Sequence, residues 1–415
     1  MVEWDFVIVG GGAAGLSLAH WLPTDTAQRP AVSVVLVDAP AGPLRAPRRT
    51  WCFWETSPGR YDPAVTASWE WLRVHSRHGT AVRRHIAPLS YKMIRSADFE
   101  ALVGQDLAQR PRIRRLHAIV HDVAACPDGT ARVTATDASG ARVDLAARWV
   151  FDSRPPHRLP AARTHLLQHF RGWFVRTRRP TFDPDVADLM DFRTPQPTRG
   201  LSFGYVLPTS RHTALVEYTE FGPAPLTVDA YDAALEHYTR RVLDTGPVQV
   251  QATEQGVIPM TDAMLTDCAA RTVFPIGVAG GCTRASTGYT FAAIQRQAEA
   301  VARAVRAGRR PVPPPPHGRR ARMMDAVLLR ALDTGRIDGP DFFYRLFERV
   351  PTVRLLRFLD GRTRLHEDLA VGVRAPVAPM LRTAAELLWL PRRPSPAPAP
   401  DRSAGADGPA PRSSS

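Results

Sequence analysis

Six residues near the start of the chain, Gly10–Gly15, constrain the fold more than any other segment. They read GGGAAG, a G-x-G-x-x-G pattern that follows the apolar run DFVIV and opens a helical stretch. Gly10 permits a tight turn, Gly12 lets the backbone approach a pyrophosphate, and Gly15 allows the helix to pack closely on the strand. The phosphates would lie at the positive end of this helix. The pattern predicts that Gly10, Gly12, Ala14 and Gly15 form a dinucleotide site.

The second apolar run, VSVVLVD, supports a dinucleotide fold because it ends on an acid, Asp38. A carboxylate at that position can accept hydrogen bonds from a ribose. The alternative is a glycine-rich turn and a strand-end aspartate that bind nothing. The fingerprint does not separate FAD from NAD, but residues 277–298 repeat the order of strand end, loop and helix. Flavoproteins of the two-domain, disulfide-reductase-like class use such a segment to bring a helix N-terminus near the flavin, so FAD is favoured.

The composition is that of a globular chain with a basic surface. Apolar residues make up 44% of the 415 residues, and the net charge of +14 is carried almost entirely by arginine. The arginines are scattered, so a bilayer surface fits better than nucleic acid, and a solvated surface without a partner fits equally well. No apolar run is long enough to span a membrane and no signal peptide is recognisable, so we expect a cytoplasmic location. The four cysteines and thirteen histidines lack metal-ligand spacing, so no metal is predicted.

The alternation of apolar strands and helices predicts an α/β fold of the glutathione-reductase-like, two-domain flavoprotein type. A Rossmann-type FAD-binding domain is assembled from separate segments, a β-sheet substrate domain is inserted into it, and a helical C-terminal region follows. The segment from Pro40 to Tyr91 looks irregular, and Ser96 is the expected N-cap of a helix. The expected ranges are 1–55, 92–160 and 270–312 for the FAD-binding domain, 56–91 and 165–262 for the substrate domain, 319–390 for the helical region and 391–415 for a disordered tail.

Several longer segments are similar to those of lycopene β-cyclases and occur in the order of that family. Besides the glycine motif they are RTWCFWE, YKMIRSADFE, VFDSRP, QHFRGWFVRT, LMDFRT, FGYVLPTS, ALVEYTEF, EQGVIPMTD and GVAGGCTRASTGYTFAAIQRQA. Many flavoproteins share the glycine motif, whereas the combination of LMDFRT, YVLPTS, VEYT and STGY is far more selective. The chain resembles this family over most of residues 5–300 and more loosely to about residue 390.

The resemblance implies an enzyme that closes β-ionone rings on lycopene, giving γ- or β-carotene. The family uses FAD in its reduced form without net redox change, and NADPH is the expected electron donor. Its essential glutamate is matched by Glu217. This residue would act as a general acid, because an apolar pocket raises the pKa of a carboxyl group, or would position the reduced flavin to donate the proton. The second acid that usually follows is replaced by Tyr218, with Glu220 further along.

The resemblance also implies further contacts with the cofactor and the substrate. Beyond the glycine motif and Asp38, the expected cofactor-binding residues are Arg95, Asp152, Gly277, Gly280, Thr287 and Gly288. Aromatic side chains can stabilise a carbocation, and those expected to line the polyene cavity are Trp51, Trp173, Tyr205 and Tyr289. Any one of these aromatic residues, taken singly, is more often a core residue than a ligand contact.

Two other classes of function remain open. One is a flavin-dependent monooxygenase or polyprenyl reductase of the same fold, and the other is a non-catalytic carotenoid- or lipid-binding protein. Lycopene is held in the bilayer, so we expect peripheral membrane association, with other enzymes of carotenoid biosynthesis as candidate partners. The segments FFYRLFERVPTVRLLRFL and PMLRTAAELLWLP are candidates for the membrane contact. Packing on the FAD-binding domain explains both equally well.

Overall fold

The structure is a computed structural model that describes residues 3–24, 32–45, 47–156, 158–265 and 271–394. Cys268 and residues 395–415 of the predicted tail lie outside these ranges. None of the described helices is long and apolar enough to cross a membrane. The strands are β1 (Trp4–Val9), β2 (Val34–Asp38), β3 (Thr50–Thr56), β4 (Val65–Trp69), β5 (Trp71–His75), β6 (Ala81–His85), β7 (Leu89–Arg95), β8 (Ile113–Ala125), β9 (Ala131–Asp137), β10 (Arg142–Asp152), β11 (His165–Thr177), β12 (Val186–Asp191), β13 (Leu201–Pro208), β14 (Thr213–Gly222), β15 (Val248–Thr261) and β16 (Val273–Pro275). The helices are α1 (Ala13–Trp21), α2 (Ser96–Ala108), α3 (Val228–His237), α4 (Phe291–Arg306), α5 (Arg319–Asp333), α6 (Gly339–Arg349), α7 (Thr352–Leu359), α8 (Leu365–Gly372) and α9 (Val377–Trp389).

The first sheet carries the glycine motif at one edge. Five parallel strands follow the order β8-β2-β1-β10-β16, and β9 pairs antiparallel with the outer halves of β8 and β10. The apolar residues of β1 and β2 are buried, as expected of parallel strands. Leu16 and Leu18 of α1 and Val301 of α4 pack in the core on one face. The carboxyl ends of the parallel strands meet at one edge, where ligands bind in such sheets. The predicted Rossmann-type domain is confirmed.

The second sheet is the inserted β domain. Its seven strands follow the order β15-β11-β14-β13-β12-β5-β6, and all neighbours are antiparallel except β12 and β5. On one face α3 contributes Tyr231 and Leu235 to an apolar core. On the other face the C-terminal helices contribute Leu329, Phe343 and Leu355 to a larger core. Successive residues of each strand therefore face two different cores.

Residues 50–95 contain five strands, so the prediction of an irregular segment between Pro40 and Tyr91 is wrong. β5 and β6 extend the second sheet, and β3, β7 and β4 form a third. Cys52 of β3 faces the larger core of the second sheet, whereas Trp51 faces the core of the first sheet. Because the third sheet is covered on both faces, its strands do not alternate apolar and polar residues, and the usual strand pattern is missing.

Two local predictions are corrected where segments join. Ser96 lies inside α2 and does not cap it. Its hydroxyl accepts the Arg49 N–H at 2.9 Å, and its own N–H donates to the Arg49 carbonyl at 2.7 Å. The predicted tail starts later than residue 391, because the backbone of Arg393 pairs with that of Ala162.

Candidate cofactor and carboxylate site

The glycine motif forms the turn between β1 and α1. Gly10 adopts φ +97°, a conformation that favours glycine, and donates its N–H to the Val37 carbonyl at 2.8 Å. A Cβ on Gly15 would lie 1.9 Å from the Gly10 carbonyl oxygen, so only glycine lets α1 start this close to β1. The Gly11 N–H donates to Asp38 Oδ1 at 2.9 Å, which ties the turn to the end of β2.

Gly12 leaves an open space at the start of α1. A Cβ built on Gly12 would meet no described atom within 4 Å. Gly12 is the N-cap of α1, no described side chain caps the helix, and its first turn holds no acid. The helix N–H groups and the positive end of the helix dipole therefore face an open cradle. The pyrophosphate of a dinucleotide fits this cradle.

A second loop, residues 277–290, lies against the glycine motif. Gly277 has φ +65°, and a Cβ on it would lie 2.7 Å from the Cβ of Ala14 in α1. A Cβ on Gly280 would lie 2.7 Å from the Pro275 carbonyl oxygen, so the turn itself requires glycine there. These two glycines let the loop pack closely, and Ala14 is buried beneath it.

Two buried polar atoms beside Gly288 have no hydrogen-bond partner among the described residues. They are Thr287 Oγ1 and Gln168 Oε1. Gly288 has φ +74°, and a Cβ there would lie 2.3 Å from Gln168 Oε1. Buried polar groups are normally paired, so the polar atoms of a ligand such as the flavin ring of FAD fit here. The sequence does not single out Gln168, because it lies inside an ordinary strand pattern.

Two other residues predicted to bind the cofactor have partners within the protein. Asp152 ends β10 and accepts hydrogen bonds from the Arg154 guanidinium, at 2.8 Å for Nη2. Arg95 ends β7, and its guanidinium carbon lies 4.6 Å from the centre of the Phe174 ring. These contacts fix the strand ends around the site, and direct contact of either residue with a cofactor stays a prediction.

Glu217 lies in the middle of β14, with only 7% of its surface exposed. Thr219, two residues along on the same face, donates its hydroxyl to Glu217 Oε1 at 2.5 Å. Burial, with a smaller contribution from the Glu254 carboxylate, raises the pKa of Glu217 to about 8. The carboxyl is therefore protonated at neutral pH and can act as a proton donor.

A second carboxyl group, that of Glu254, lies across one intervening strand from Glu217. Both residues pair in register with Gly172 of β11, which stands between β14 and β15. A Cβ built on Gly172 would lie 3.6 Å from Glu217 Cβ and 3.5 Å from Glu254 Cγ, so both side chains lie next to this position, and its tightest contact would be Leu215 Cδ1 at 2.9 Å. Burial raises the pKa of Glu254, opposed by a 2.7 Å hydrogen bond from Thr50 and by nearby arginines.

Three tyrosines and a cysteine lie beside Glu217. Tyr205 of β13 pairs in register with Glu217. The Tyr91 hydroxyl lies 2.5 Å from that of Tyr205 and 3.0 Å from that of Tyr289. Burial, with smaller contributions from the two glutamates, raises the pKa of the Cys52 thiol to about 12. All four groups stay neutral at physiological pH, so Glu217 has uncharged phenol rings and an uncharged thiol beside it.

Comparison with known protein families identifies the chain's relatives. The model of the family described as lycopene cyclase protein matches residues 5–385. The chain belongs to the lycopene cyclase family. A search of curated proteins gave no match.

Solved structures similar to this lycopene cyclase family member share its fold. A geranylgeranyl bacteriochlorophyll reductase-like protein from Thermoplasma acidophilum has a TM-score of 0.65 at 12% identity, covering 94% of this chain and 99% of that one. A flavoprotein/dehydrogenase from Cytophaga hutchinsonii has a TM-score of 0.59 at 11% identity, with 93% and 99% covered. The p-nitrophenol 4-monooxygenase PnpA of Pseudomonas putida DLL-E4 has a TM-score of 0.53 at 13% identity, with 94% and 99% covered. The predicted fold class is confirmed.

Two of the four aromatic residues predicted to line the substrate cavity of this family member lie away from Glu217. Trp173 faces α3, where its indole N–H donates to Asp232 at 2.9 Å. Trp51 stacks on Phe291 in the core of the first sheet, with ring centres 5.6 Å apart. Alternate residues of a strand face opposite ways, so both tryptophans lie outside the core around Glu217, and their contact with a substrate stays a prediction.

The residues that replace the usual second acid of the lycopene cyclase family also face away from Glu217. The Tyr218 hydroxyl donates to Glu220 Oε2 at 3.3 Å, and Glu220 Oε1 lies 3.9 Å from His169 Nε2. Burial raises the pKa of Glu220, but this carboxyl lies on the α3 side of the sheet. The second carboxyl on the face of Glu217 is that of Glu254.

Proposed function

We propose that this protein is a lycopene β-cyclase that binds FAD, works with the cofactor in its reduced form and takes electrons from NADPH. The observation that carries the proposal is the buried carboxyl of Glu217. Because its pKa is about 8, this carboxyl retains its proton at neutral pH. This carboxyl lies beside Tyr205 and Tyr289 in a chain that the lycopene cyclase family model matches.

The proposed reaction is an isomerisation that begins and ends with a proton transfer. The Glu217 carboxyl gives its proton to the terminal double bond of a ψ-end, which leaves a tertiary carbocation. The double bond of the neighbouring isoprene unit attacks this cation, so that a six-membered ring closes and the positive charge moves to a ring carbon. The Glu217 carboxylate takes back a proton from the adjacent ring carbon, which forms the β-ring double bond and restores the acid. One proton enters and one leaves, so no oxidant or reductant is consumed.

The aromatic side chains around Glu217 suit a carbocation because their rings are neutral and exclude water. Trp54 and Tyr289 meet edge to face, with ring centres 4.7 Å apart. Aromatic faces stabilise a cation by roughly 2 kcal/mol when water is excluded. The hydroxyl of Tyr91 is bonded to those of Tyr205 and Tyr289. A dry site also prevents water from adding to the cation before the ring closes.

Glu254 acts in this proposal as a positioning residue for the Glu217 proton. Its negative charge contributes to the raised pKa of Glu217. The hydrogen bond from Thr50 and the nearby arginines favour the charged form of Glu254 itself. Burial raises the pKa of Glu254 as well, so the proposal requires that these opposing contacts keep Glu254 ionised while Glu217 holds the proton.

The glycine motif and the second loop fit FAD. Gly10, Gly12 and Gly15 would hold its pyrophosphate at the start of α1. Thr287 and Gln168 offer unpaired buried polar atoms to its ring. Bound in the reduced form, FAD would supply negative charge that stabilises a nearby cation.

A polyprenyl reductase is the alternative that one solved structure favours, because that protein is described as geranylgeranyl bacteriochlorophyll reductase-like. A reductase adds a hydride and a proton to a double bond and consumes NADPH with each product molecule. A monooxygenase consumes oxygen in the same proportion, and a non-catalytic carotenoid-binding protein leaves lycopene unchanged. The protonated carboxyl of Glu217 suits cyclisation, which needs a proton donor and no hydride, and the consumption of NADPH separates this reaction from reduction.

The test is an anaerobic assay with purified, FAD-loaded, reduced protein and lycopene in liposomes. We expect γ- or β-carotene to form without proportional consumption of NADPH. Glu217→Gln should retain FAD and lose at least about 100-fold in activity, because general acids contribute ~10²–10⁴-fold. Glu220→Gln is the matched control and should stay active, since Glu220 faces α3. Unchanged lycopene with folded, FAD-loaded protein, or full activity of Glu217→Gln, would contradict the proposal.

A further inference from the structure

The last two helices expose large apolar side chains to solvent. Leu365 and Leu369 of α8 are 58% and 61% exposed, and Val373, directly after α8, is 70% exposed. Leu381, Leu388 and Trp389 of α9 are 66%, 78% and 87% exposed. We name these six side chains the α8–α9 face.

The spacing of these residues places them on one side of each helix. Leu365, Leu369 and Val373 are four residues apart, so they form one row along α8. Leu381 and Leu388 are seven residues apart, which is two helical turns. The exposed residues are therefore two ordered rows and not scattered surface positions.

The opposite side of α8 carries acids that point inward. Glu367 and Asp368 are 9% and 6% exposed. Glu367 pairs with Arg357 at 2.8 Å, and Asp368 pairs with Arg320. A helix in water buries its apolar side and exposes its charges. α8 buries both acids together with Val371 and exposes two leucines, so its outer side is apolar where a surface helix normally carries charges.

The charges around the α8–α9 face are positive. The acid of α9, Glu386, turns inward to Arg330 and Arg336. Arg364 and Arg382 are exposed, and neither forms an ion pair within the part of the chain that the structure describes. The acids of both helices are thus neutralised internally, whereas cations remain free at the rim of the face.

We propose that the α8–α9 face docks on the surface of a bilayer that carries anionic headgroups. Apolar side chains enter the boundary between headgroups and acyl chains, and arginines pair with the headgroups. A tryptophan such as Trp389 favours that depth. A second copy of the chain fits less well, because a two-fold dimer would bring this positively charged patch against itself while the acids of both helices are already paired internally.

The other segment that the sequence suggests for membrane contact, which forms α6 and α7, differs from this face. In α6 and α7 the apolar residues Phe343, Leu346 and Leu356 are buried against the second sheet. Their amphipathic pattern therefore reflects internal packing. Docking through α8 and α9 does not depend on cyclisation, so binding can be measured without turnover.

The apolar arm of the test measures flotation of FAD-loaded, full-length protein with vesicles of phosphatidylcholine and phosphatidylglycerol. We expect the wild type to float with these vesicles. Two triple variants should each reduce binding more than tenfold, because they remove the inserted side chains: Leu365→Ser/Leu369→Ser/Val373→Ser and Leu381→Ser/Leu388→Ser/Trp389→Ser. The control variant replaces apolar residues that are exposed elsewhere, by 41%, 42% and 62%, and should bind as the wild type does: Val250→Ser/Val257→Ser/Met323→Ser.

The charge arm of the test separates anionic headgroups from a neutral surface. Arg364→Glu/Arg382→Glu should weaken flotation with the anionic vesicles, whereas Arg178→Glu/Arg211→Glu, with the same change in net charge on the second sheet, should not. Retained flavin absorbance shows that each variant is folded, which is expected because the replaced side chains already lie in water.

Three outcomes would overturn the docking proposal. The first is wild-type protein that stays unbound with anionic vesicles, and the second is serine variants that float like the wild type. The third is a dimer in solution that does not float and that the α8 variant converts to monomer, which would assign the face to a second copy. The cyclisation assay repeated with lycopene in detergent micelles in place of liposomes does not require docking, so failure of one proposal is distinguishable from failure of the other.

Discussion

Glu217 and Glu254 lie on either side of Gly172, and their carboxyl groups have different surroundings. For Glu217 burial dominates and one hydroxyl hydrogen bond opposes it, so the pKa reaches about 8. For Glu254 burial acts in the same direction, but a hydroxyl and two arginines oppose it. The proton donor of the proposed site is therefore available at neutral pH and is lost as the pH rises above about 8.

The variant Glu254→Gln tests the electrostatic link between the two carboxyl groups. The negative charge of Glu254 raises the pKa of Glu217, so its removal should lower that pKa. Because Glu217 must be protonated to act, the falling limb of the pH–rate profile should move to lower pH, by on the order of one unit. A pH profile of ring formation at saturating lycopene measures the shift. Glu220→Gln should leave the limb in place, and an unmoved limb in Glu254→Gln would remove Glu254 from its positioning role.

The turn that joins β1 to α1 separates two requirements for glycine, one for binding and one for packing. At Gly12 a Cβ would meet no described atom, and φ of −81° suits any residue. At Gly15 a Cβ would meet the Gly10 carbonyl oxygen at 1.9 Å. The first glycine keeps the cradle open, and the second lets the helix pack on the strand.

Replacing each of these glycines by alanine should therefore have different effects. Gly12→Ala should unfold at the same temperature as the wild type without FAD but bind FAD at least tenfold more weakly, because the methyl group enters the cradle. Gly15→Ala should lower the free energy of unfolding by about 1–3 kcal/mol, as overpacking does. Thermal unfolding and FAD titration of both variants measure this. Unchanged FAD affinity of Gly12→Ala would show that the pyrophosphate does not lie at this turn.

The same elements show what the sequence can predict. The constraints on Gly10–Gly15 and Asp38 are local, so the pattern alone predicts the strand, the turn and the helix. The strands between residues 50 and 95 escape prediction because both faces of the third sheet are covered. The proximity of Glu217 to Glu254 cannot be predicted from the sequence either, because only the register of β11 with its two neighbours brings both residues beside Gly172.

At the scale of the whole molecule, the C-terminal helices hold the second loop of the cofactor site. Arg284 Nε and Ser286 Oγ donate to Asp325 Oδ1 of α5, at 2.9 Å and 2.7 Å. Arg284 is 2% and Asp325 3% exposed. The loop that carries Thr287 and Gly288 is therefore fixed from the far end of the chain. The helical region is part of the site's construction and not a separate appendage.

Loss of the Asp325 carboxylate should destabilise the whole protein. Asp325→Ala leaves the Arg284 guanidinium buried without its partner, which costs about 3–5 kcal/mol. Chemical unfolding measures this cost. Glu299→Ala is the control, since it breaks an exposed pair with Arg303 that is worth at most ~1 kcal/mol. Equal stability of the two variants would mean that the buried pair does not hold the loop.

The most direct test of the whole account is the mass of the ringed product formed in H2O and in D2O. The Glu217 carboxyl exchanges its proton with solvent and then donates it to carbon, where it remains. The account predicts a product of the same mass as lycopene in H2O, and one solvent deuterium in each ring formed in D2O. A product that gains two hydrogens in H2O, or a ring without deuterium in D2O, would contradict protonation by Glu217 as the step that starts ring closure.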